Sequence, residues 1–140
     1  MPKNFFEELK WRGLIQDSTP GVDEELKKKS LSAYIGFDPT SDSLHIGSLV
    51  QLLILKHFQE YGHKPILLIG GATGMIGDPS GKSKERNLLS ERDISHNVEK
   101  IKNQVSKFLD FKKQKNPALI LNTHDWIGKL NIIDFFRDFE

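Results

Sequence analysis

Lys64-Pro-Ile-Leu-Leu-Ile69, closed at once by Gly70-Gly71, sets the architecture of this chain. A short unbroken apolar run ended by glycine predicts a strand of a parallel sheet covered on both faces. Upstream, Ser32-Ala-Tyr-Ile-Gly-Phe37 predicts an earlier strand, ended by a turn over Asp38 to Asp42 around Pro39. Between the two, Leu44 to Tyr61 predicts a helix. Its apolar positions (46, 49, 50, 52, 53, 54 and 55) wrap well around the cylinder, so a buried rather than half-exposed helix is expected, ended by Gly62.

Downstream, Gly70 to Arg86 reads as a long glycine-rich loop. Ser90-x-x-Asp93 is a capping-box variant, and Leu89 with Ile94 supplies a hydrophobic staple. The helix that follows carries one apolar stripe: Ile94, Val98, Ile101, Val105 and Phe108. The lysines between Glu99 and Lys115 read as a solvated outer face that could also meet RNA. Ala118 to Asn122 predicts a third strand, and Asn131 to Phe139 starts another amphipathic helix. At the front, Asn4 to Arg12 predicts a short helix with Gly13 at its C′ position. Gln16 to Gly21 is a loop, and Glu24 to Lys29 is a second helical piece.

Strand, helix, strand, helix, strand, helix is the order of a Rossmann-like parallel sheet with flanking helices. Ligands of such sheets sit beyond the carboxyl ends of the strands. The loops after the strands, 36–48, 70–86 and 122–128, therefore form the expected rim, and they hold the unusual residues. Residues 1–31 are expected to form an N-terminal helical segment, and 32–140 the first half of a Rossmann-type catalytic domain.

Composition excludes several classes. The chain has 140 residues, 37% of them hydrophobic, no cysteine, and a net charge of +1. That is enough for one core and leaves no disulfide, thiolate metal site or cysteine nucleophile. No apolar run, Leu52 to Leu55 being typical, is long enough for a membrane span. Met1 to Gly13 has no apolar h-region, so neither secretion nor a transit peptide is expected and a cytoplasmic protein is. His45, His57, His63, His96 and His124 show no ligand spacing, so no metal site is expected.

In the first loop, Gly36 lets the backbone approach a ligand, Pro39 fixes the turn and Thr40 offers a hydroxyl. His45 and Gly47 stand at the start of the buried helix, where free N–H groups and the helix dipole favour an anion. A plain structural turn is the competing reading. The second loop fails as a Walker A motif, because the glycine required five positions before Gly81 is Ile76. It fails as a dinucleotide fingerprint because its glycines stand at 71, 74 and 77. What remains is Asp78, able to pair with an ammonium group, and Lys82 and Arg86, able to reach a polyphosphate. In the third loop Thr123 and Trp126 could wall a small pocket, or Trp126 could be a core anchor.

Taken in order, Glu8-Leu-Lys-Trp-Arg-Gly-Leu14, Tyr34-Ile-Gly-Phe-Asp-Pro-Thr40, Asp42-Ser-Leu-His-Ile-Gly47, Gly70-Gly-Ala-Thr-Gly74, Gly77-Asp-Pro-Ser-Gly-Lys82 and Asp125-Trp-Ile-Gly128 resemble the class I aminoacyl-tRNA synthetases. The likeness is to the N-terminal part of the bacterial-type tyrosyl enzymes. It implies activation of L-tyrosine by ATP with Mg2+ as substrate, transfer to tRNA(Tyr), and no permanently bound cofactor. It implies a homodimer at full length. It assigns Thr40 and His45 to the γ-phosphate, Lys82 and Arg86 to the leaving pyrophosphate, and Tyr34, Gly36, Thr73 and Asp78 to tyrosine. Asp38, Pro39, Gly47 and Ser48 complete the ATP site. Three departures stand out. Ser48 replaces the second histidine of the H-x-G-H tetrad, and Thr123 stands where asparagine is common. The K-M-S-K-S signature and later domains are missing, so the chain reads as a fragment expected to be weakly active alone. A small adenylyltransferase of the H-x-G-H type and a non-catalytic binding module are the rival readings.

Overall fold

The structure, a computed structural model, describes residues 2–76 and 89–138. Ser32–Phe37 (β1), Lys64–Ile69 (β2) and Leu119–Asn122 (β3) form a parallel sheet in the order β1-β2-β3. Before it come Phe5–Trp11 (α1) and Val22–Lys28 (α2). Ile46–Glu60 (α3) joins β1 to β2. Gly71–Ile76 (α4) and Glu91–Val105 (α5) lie between β2 and β3, and His124–Ile127 (α6) and Ile132–Asp138 (α7) follow.

Register explains the layering. Ile35 pairs laterally with Leu67 and Leu67 with Ile120; Phe37 pairs with Ile69. Side chains on a strand alternate between faces, so these residues share one face. They meet Leu52 and Leu55 of α3 and Ile94, Val98, Ile101 and Val105 of α5 in one buried cluster. The stripe expected on α5 is thus its core face, though Phe108 lies beyond the helix and is only partly buried. The capping box is formed: the Asp93 amide donates to Ser90 Oγ at 3.2 Å and the Ser90 amide to Asp93 Oδ2 at 3.3 Å. Leu89 and Ile94 both pack into the core, as the staple requires.

Two expectations of complete burial are corrected. β2 alternates between half-buried Ile66 and Leu68 and buried Pro65, Leu67 and Ile69, because the described helices α3 and α5 cover only one face of the sheet. Tyr34, Ile66 and Leu119 form a row on the other face. Helix α3 likewise has an open side: Ile46 is 81% and Val50 47% exposed. A third correction concerns residues 71–76. Glycine weakens a helix, and Gly-Ala-Thr-Gly reads as loop, yet α4 forms there. Its opening turn is held from outside, by Asn122 Oδ1 on the Gly71 amide at 3.1 Å and Thr123 Oγ1 on the Ala72 amide at 3.1 Å.

The pole at the strand starts is closed by a buried polar network. Gln59 Nε2 donates to the carbonyls of Asp110 (2.6 Å) and Asn116 (3.1 Å), and Gln59 Oε1 accepts from the Asp110 amide at 3.0 Å. Asn116 Nδ2 donates to the carbonyls of Gln59 at 2.7 Å and His63 at 2.8 Å. His63 stacks on Phe58 with ring centroids 4.5 Å apart, and its Nδ1 accepts from the Leu31 amide. Burial holds the His63 imidazole below its usual titration range. On α1, Glu8 pairs with Arg12 at 2.7 Å and accepts from the Tyr61 hydroxyl at 2.9 Å. The Arg12 bond is the largest cause of a carboxyl titrating below its usual value.

Candidate functional site

At the opposite pole the three strand tips converge. The Gly70 amide donates to the Phe37 carbonyl and the Thr123 amide to the Ile69 carbonyl, each at 2.9 Å. Asp38, just past β1, accepts a hydrogen bond of 2.7 Å from Thr73 Oγ1 on α4. A Cβ on Gly70 would overlap both the Asp38 carboxylate and the Thr73 hydroxyl, so glycine is what lets these two meet. Asn122 Oδ1 also accepts from the His124 amide at 3.2 Å. The first loop and the described parts of the other two are therefore one hydrogen-bonded rim, as the strand order implies.

Within the first loop, Pro39 is fully buried and Thr40 exposed. The Thr40 amide is turned back onto the Asp38 carbonyl at 2.9 Å. His45 is the N-cap of α3. Its Nδ1 accepts from the Gly47 amide at 3.0 Å, and its carbonyl accepts from the Ser48 amide at 3.0 Å. The sequence leaves the Gly47 N–H for an anion; the structure gives it to His45. With Nδ1 accepting, the neutral ring carries its proton on Nε2, which is left as a donor. A Cβ on Gly47 would stand 2.8 Å from His45 Cε1, so glycine is needed for the ring to fold back. Ser48, in the first turn of α3, is buried rather than open at the rim.

Tyr34 and Gly36 lie on the sheet face turned from α3, where Tyr34 is 66% exposed. No described atom lies within 4 Å of a Cβ built on Gly36, so among the described residues nothing demands glycine there and the space is open to a ligand. Thr73 is exposed beside Asp38. Thr123 is buried and committed to the Ala72 amide, so it does not wall a pocket as a free hydroxyl. Trp126 is 45% exposed and is not a core anchor. Asp78, Lys82 and Arg86 lie outside the described residues.

A hollow of about 240 Å3 opens beside the rim, lined by residues that include Met75, Ile94, Asn122, His124 and Asp125. A larger one, about 720 Å3, lies at the closed pole against Glu7, Glu8, Trp11 and Tyr61. The rim is the better candidate site, since the polar groups in the larger hollow already serve one another. Among the described residues no group of three or more His, Asp or Glu side chains is placed to hold a metal ion.

Residues the sequence reading passed over belong to α5. Asn97 Nδ2 donates to the Pro39 carbonyl at 3.0 Å. Gln104 Oε1 accepts from the Leu44 amide at 2.8 Å, and its Nε2 reaches the Leu44 carbonyl at 3.4 Å. The available signal was Asn97 itself, a polar residue directly beside Val98 in the buried stripe.

A family model described as "tRNA synthetases class I (W and Y)" matches residues 26–140. The chain is 58% identical over 137 residues to a tyrosine–tRNA ligase of Flavobacterium johnsoniae, covering 97% of this chain and 32% of that protein. It is 55% identical to tyrosine–tRNA ligase 1 of Bacillus licheniformis, covering 96% and 32%. A crystal structure of a C-terminally truncated mitochondrial tyrosyl-tRNA synthetase of Aspergillus nidulans superposes with a TM-score of 0.82 at 25% identity, over 97% of this chain and 42% of that one. The chain thus spans about a third of the length of the curated relatives it matches.

Proposed function

The chain belongs to the class I tRNA synthetases (W and Y), and on that premise we propose that it forms the nucleotide-binding part of a tyrosine–tRNA ligase. Its substrates are L-tyrosine, ATP carrying Mg2+, and tRNA(Tyr). The tyrosine carboxylate attacks the α-phosphorus of ATP, the bond to the bridging oxygen breaks, and pyrophosphate leaves. Tyrosyl-adenylate then gives its acyl group to the terminal ribose of the tRNA. The first step transfers no proton at the reacting centre, so it needs alignment and donors rather than a nucleophile–base pair.

The observation that carries this reading is the loop from Asp38 to Ser48. Thr40 is exposed there, and the bond from the Gly47 amide leaves His45 Nε2–H as a donor. Both then donate to the γ-phosphate, where charge develops as pyrophosphate departs. Each such donor is worth about 2.7–4 kcal/mol by analogy with oxyanion-hole groups. Lys82 and Arg86 close on the same pyrophosphate. Asp38 and Pro39 carry backbone toward the α-phosphate, and Gly47 and Ser48 belong to the helix start beneath it.

Tyrosine lies on the open sheet face. The Tyr34 hydroxyl pairs with its phenol, Gly36 leaves room for its ring, Thr73 stands alongside and Asp78 takes its ammonium group. Phenylalanine would leave the Tyr34 hydroxyl unpaired, a discrimination already familiar for tyrosine-specific synthetases. The exposed Ile132, Ile133 and Phe136 on α7 suit the interface of a homodimer. A cytoplasmic location completes the proposal; among the described residues no helix is long and apolar enough to cross a membrane. The small adenylyltransferase reading is not favoured, because the curated relatives that match are ligases.

The test is tyrosine-dependent ATP–pyrophosphate exchange by a protein in which this chain replaces the matching segment of the Flavobacterium johnsoniae ligase. Exchange that requires tyrosine and is lost in His45→Ala is expected. Exchange that ignores tyrosine, or none from a folded protein, overturns the reading. The 140-residue chain alone is expected to exchange weakly.

A further inference from the structure

We propose that Asn97 and Gln104 of α5 are positioning residues that hold the phosphate-binding loop in its working shape, an inference that rests on the roles proposed above for Thr40 and His45. The two residues stand seven apart, two helical turns, and so share one face of α5. They grip the loop at two backbone points. Asn97 donates to the Pro39 carbonyl at 3.0 Å. Gln104 accepts from the Leu44 amide at 2.8 Å and reaches back to the Leu44 carbonyl at 3.4 Å. Pro39 immediately precedes Thr40, and Leu44 immediately precedes His45. Each grip therefore fixes the peptide next to a proposed phosphate donor.

The loop's own bonds here are short in range: the Thr40 amide to the Asp38 carbonyl, and Ser41 Oγ to the Ser43 carbonyl at 2.7 Å. Neither ties the middle of the loop to the body of the protein. The choice of residue fits the task. Asn97 is only 7% exposed, flanked by Val98 and one turn from Ile94 and Ile101. A buried amide is unfavourable unless bonded, and the partner it has is a loop carbonyl.

The experiment uses the chain itself. Amide hydrogen exchange is followed across residues 40–46 and across β2 in the wild type, Asn97→Asp, Gln104→Ala and Gln104→Glu. A carboxylate at 97 cannot donate to Pro39, whereas one at 104 still accepts from Leu44. Exchange in the loop is expected to rise about fivefold in N97D and Q104A, the worth of one hydrogen bond, with β2 unchanged and Q104E close to wild type. MgATP titration is expected to show weaker binding by a similar factor in N97D and Q104A and wild-type binding in Q104E.

Unchanged loop exchange in both N97D and Q104A overturns the clamp. So does a rise of equal size in β2, which would mean a merely structural role, and so does Q104E behaving as Q104A does. If the wild type gives no response to MgATP, the phosphate reading fails, while loop exchange still decides whether α5 holds the loop.

Discussion

The two poles of the sheet use the same kinds of residue to opposite ends. At the strand starts, Gln59 and Asn116 bond backbone groups of Asp110, Asn116, Gln59 and His63, and His63 accepts from the Leu31 amide, so these side chains serve the fold. At the strand tips, Asp38, Thr73, Asn122 and Asn97 also bond, but they hold a scaffold from which Thr40 and the His45 ring stand out. Polar side chains are saturated at one end and displayed at the other. What separates them is whether the backbone they hold leads into a proposed ligand donor, as at Thr40 and His45, or only back into the fold.

The largest effects expected from this contrast lie at the displaying end. Thr40→Ala and His45→Ala should each lower tyrosine-dependent pyrophosphate exchange by about 10²–10³-fold, as loss of an oxyanion-hole donor does. Thr40→Ala should leave the thermal midpoint where it is, since Thr40 is exposed; His45→Ala also removes the α3 N-cap and should lower stability by only about 0.5–2 kcal/mol. A large drop in stability with either would erase the distinction.

Next comes the saturated end. Gln59→Leu leaves the Asn116 carbonyl and the Asp110 amide without their Gln59 partner, while the Asp110 carbonyl keeps the Ala118 amide, and should lower stability by about 2–3 kcal/mol in urea titration. MgATP affinity of the folded fraction should not change. Gly70→Ala tests the join between loops. Its methyl group displaces the Asp38 carboxylate or the Thr73 hydroxyl, for about 1–3 kcal/mol of overpacking, and should weaken ligand binding as well.

The smallest effect is in pH. The folded His63 titrates below its usual 6.5 because burial disfavours its charged form. The unfolded chain then binds more protons, so the His63 contribution is intact above that value and is lost as pH falls below it. Glu8 is held below its usual 4.5, first by Arg12, so its contribution is present above that value and lost as pH falls through the lowered one. Stability should therefore decline in two acid windows. His63→Phe should remove the upper window and leave the lower.

The strands were legible because their apolar runs and bounding turns are local: Ser32 to Phe37 and Lys64 to Ile69 are the observed limits. The start of α5 was legible for the same reason, its cap and staple lying within five residues. Helix α4 was not, because its opening amides are satisfied by Asn122 and Thr123, some fifty residues away in sequence. Thr40 and His45 were legible as candidates through their loop and through family likeness. Asn97 left only a faint signal, beside Val98 in the buried stripe, and Gln104 none, because a polar residue on an amphipathic helix looks like solvent-facing surface until its partner loop is in view. Burial of α3 was over-read, since apolar residues all round a helix do not say which sides have neighbours.

Among the described residues β1 is an outer strand, and Ser32, Ala33 and Tyr34 along it are exposed. An outer strand presents a row of backbone donors and acceptors to any extended chain that comes alongside. Studied by itself, this polypeptide should self-associate as concentration rises, edge against edge. A lysine or proline introduced along β1 would be the first change to make for anyone who wants it to remain dispersed.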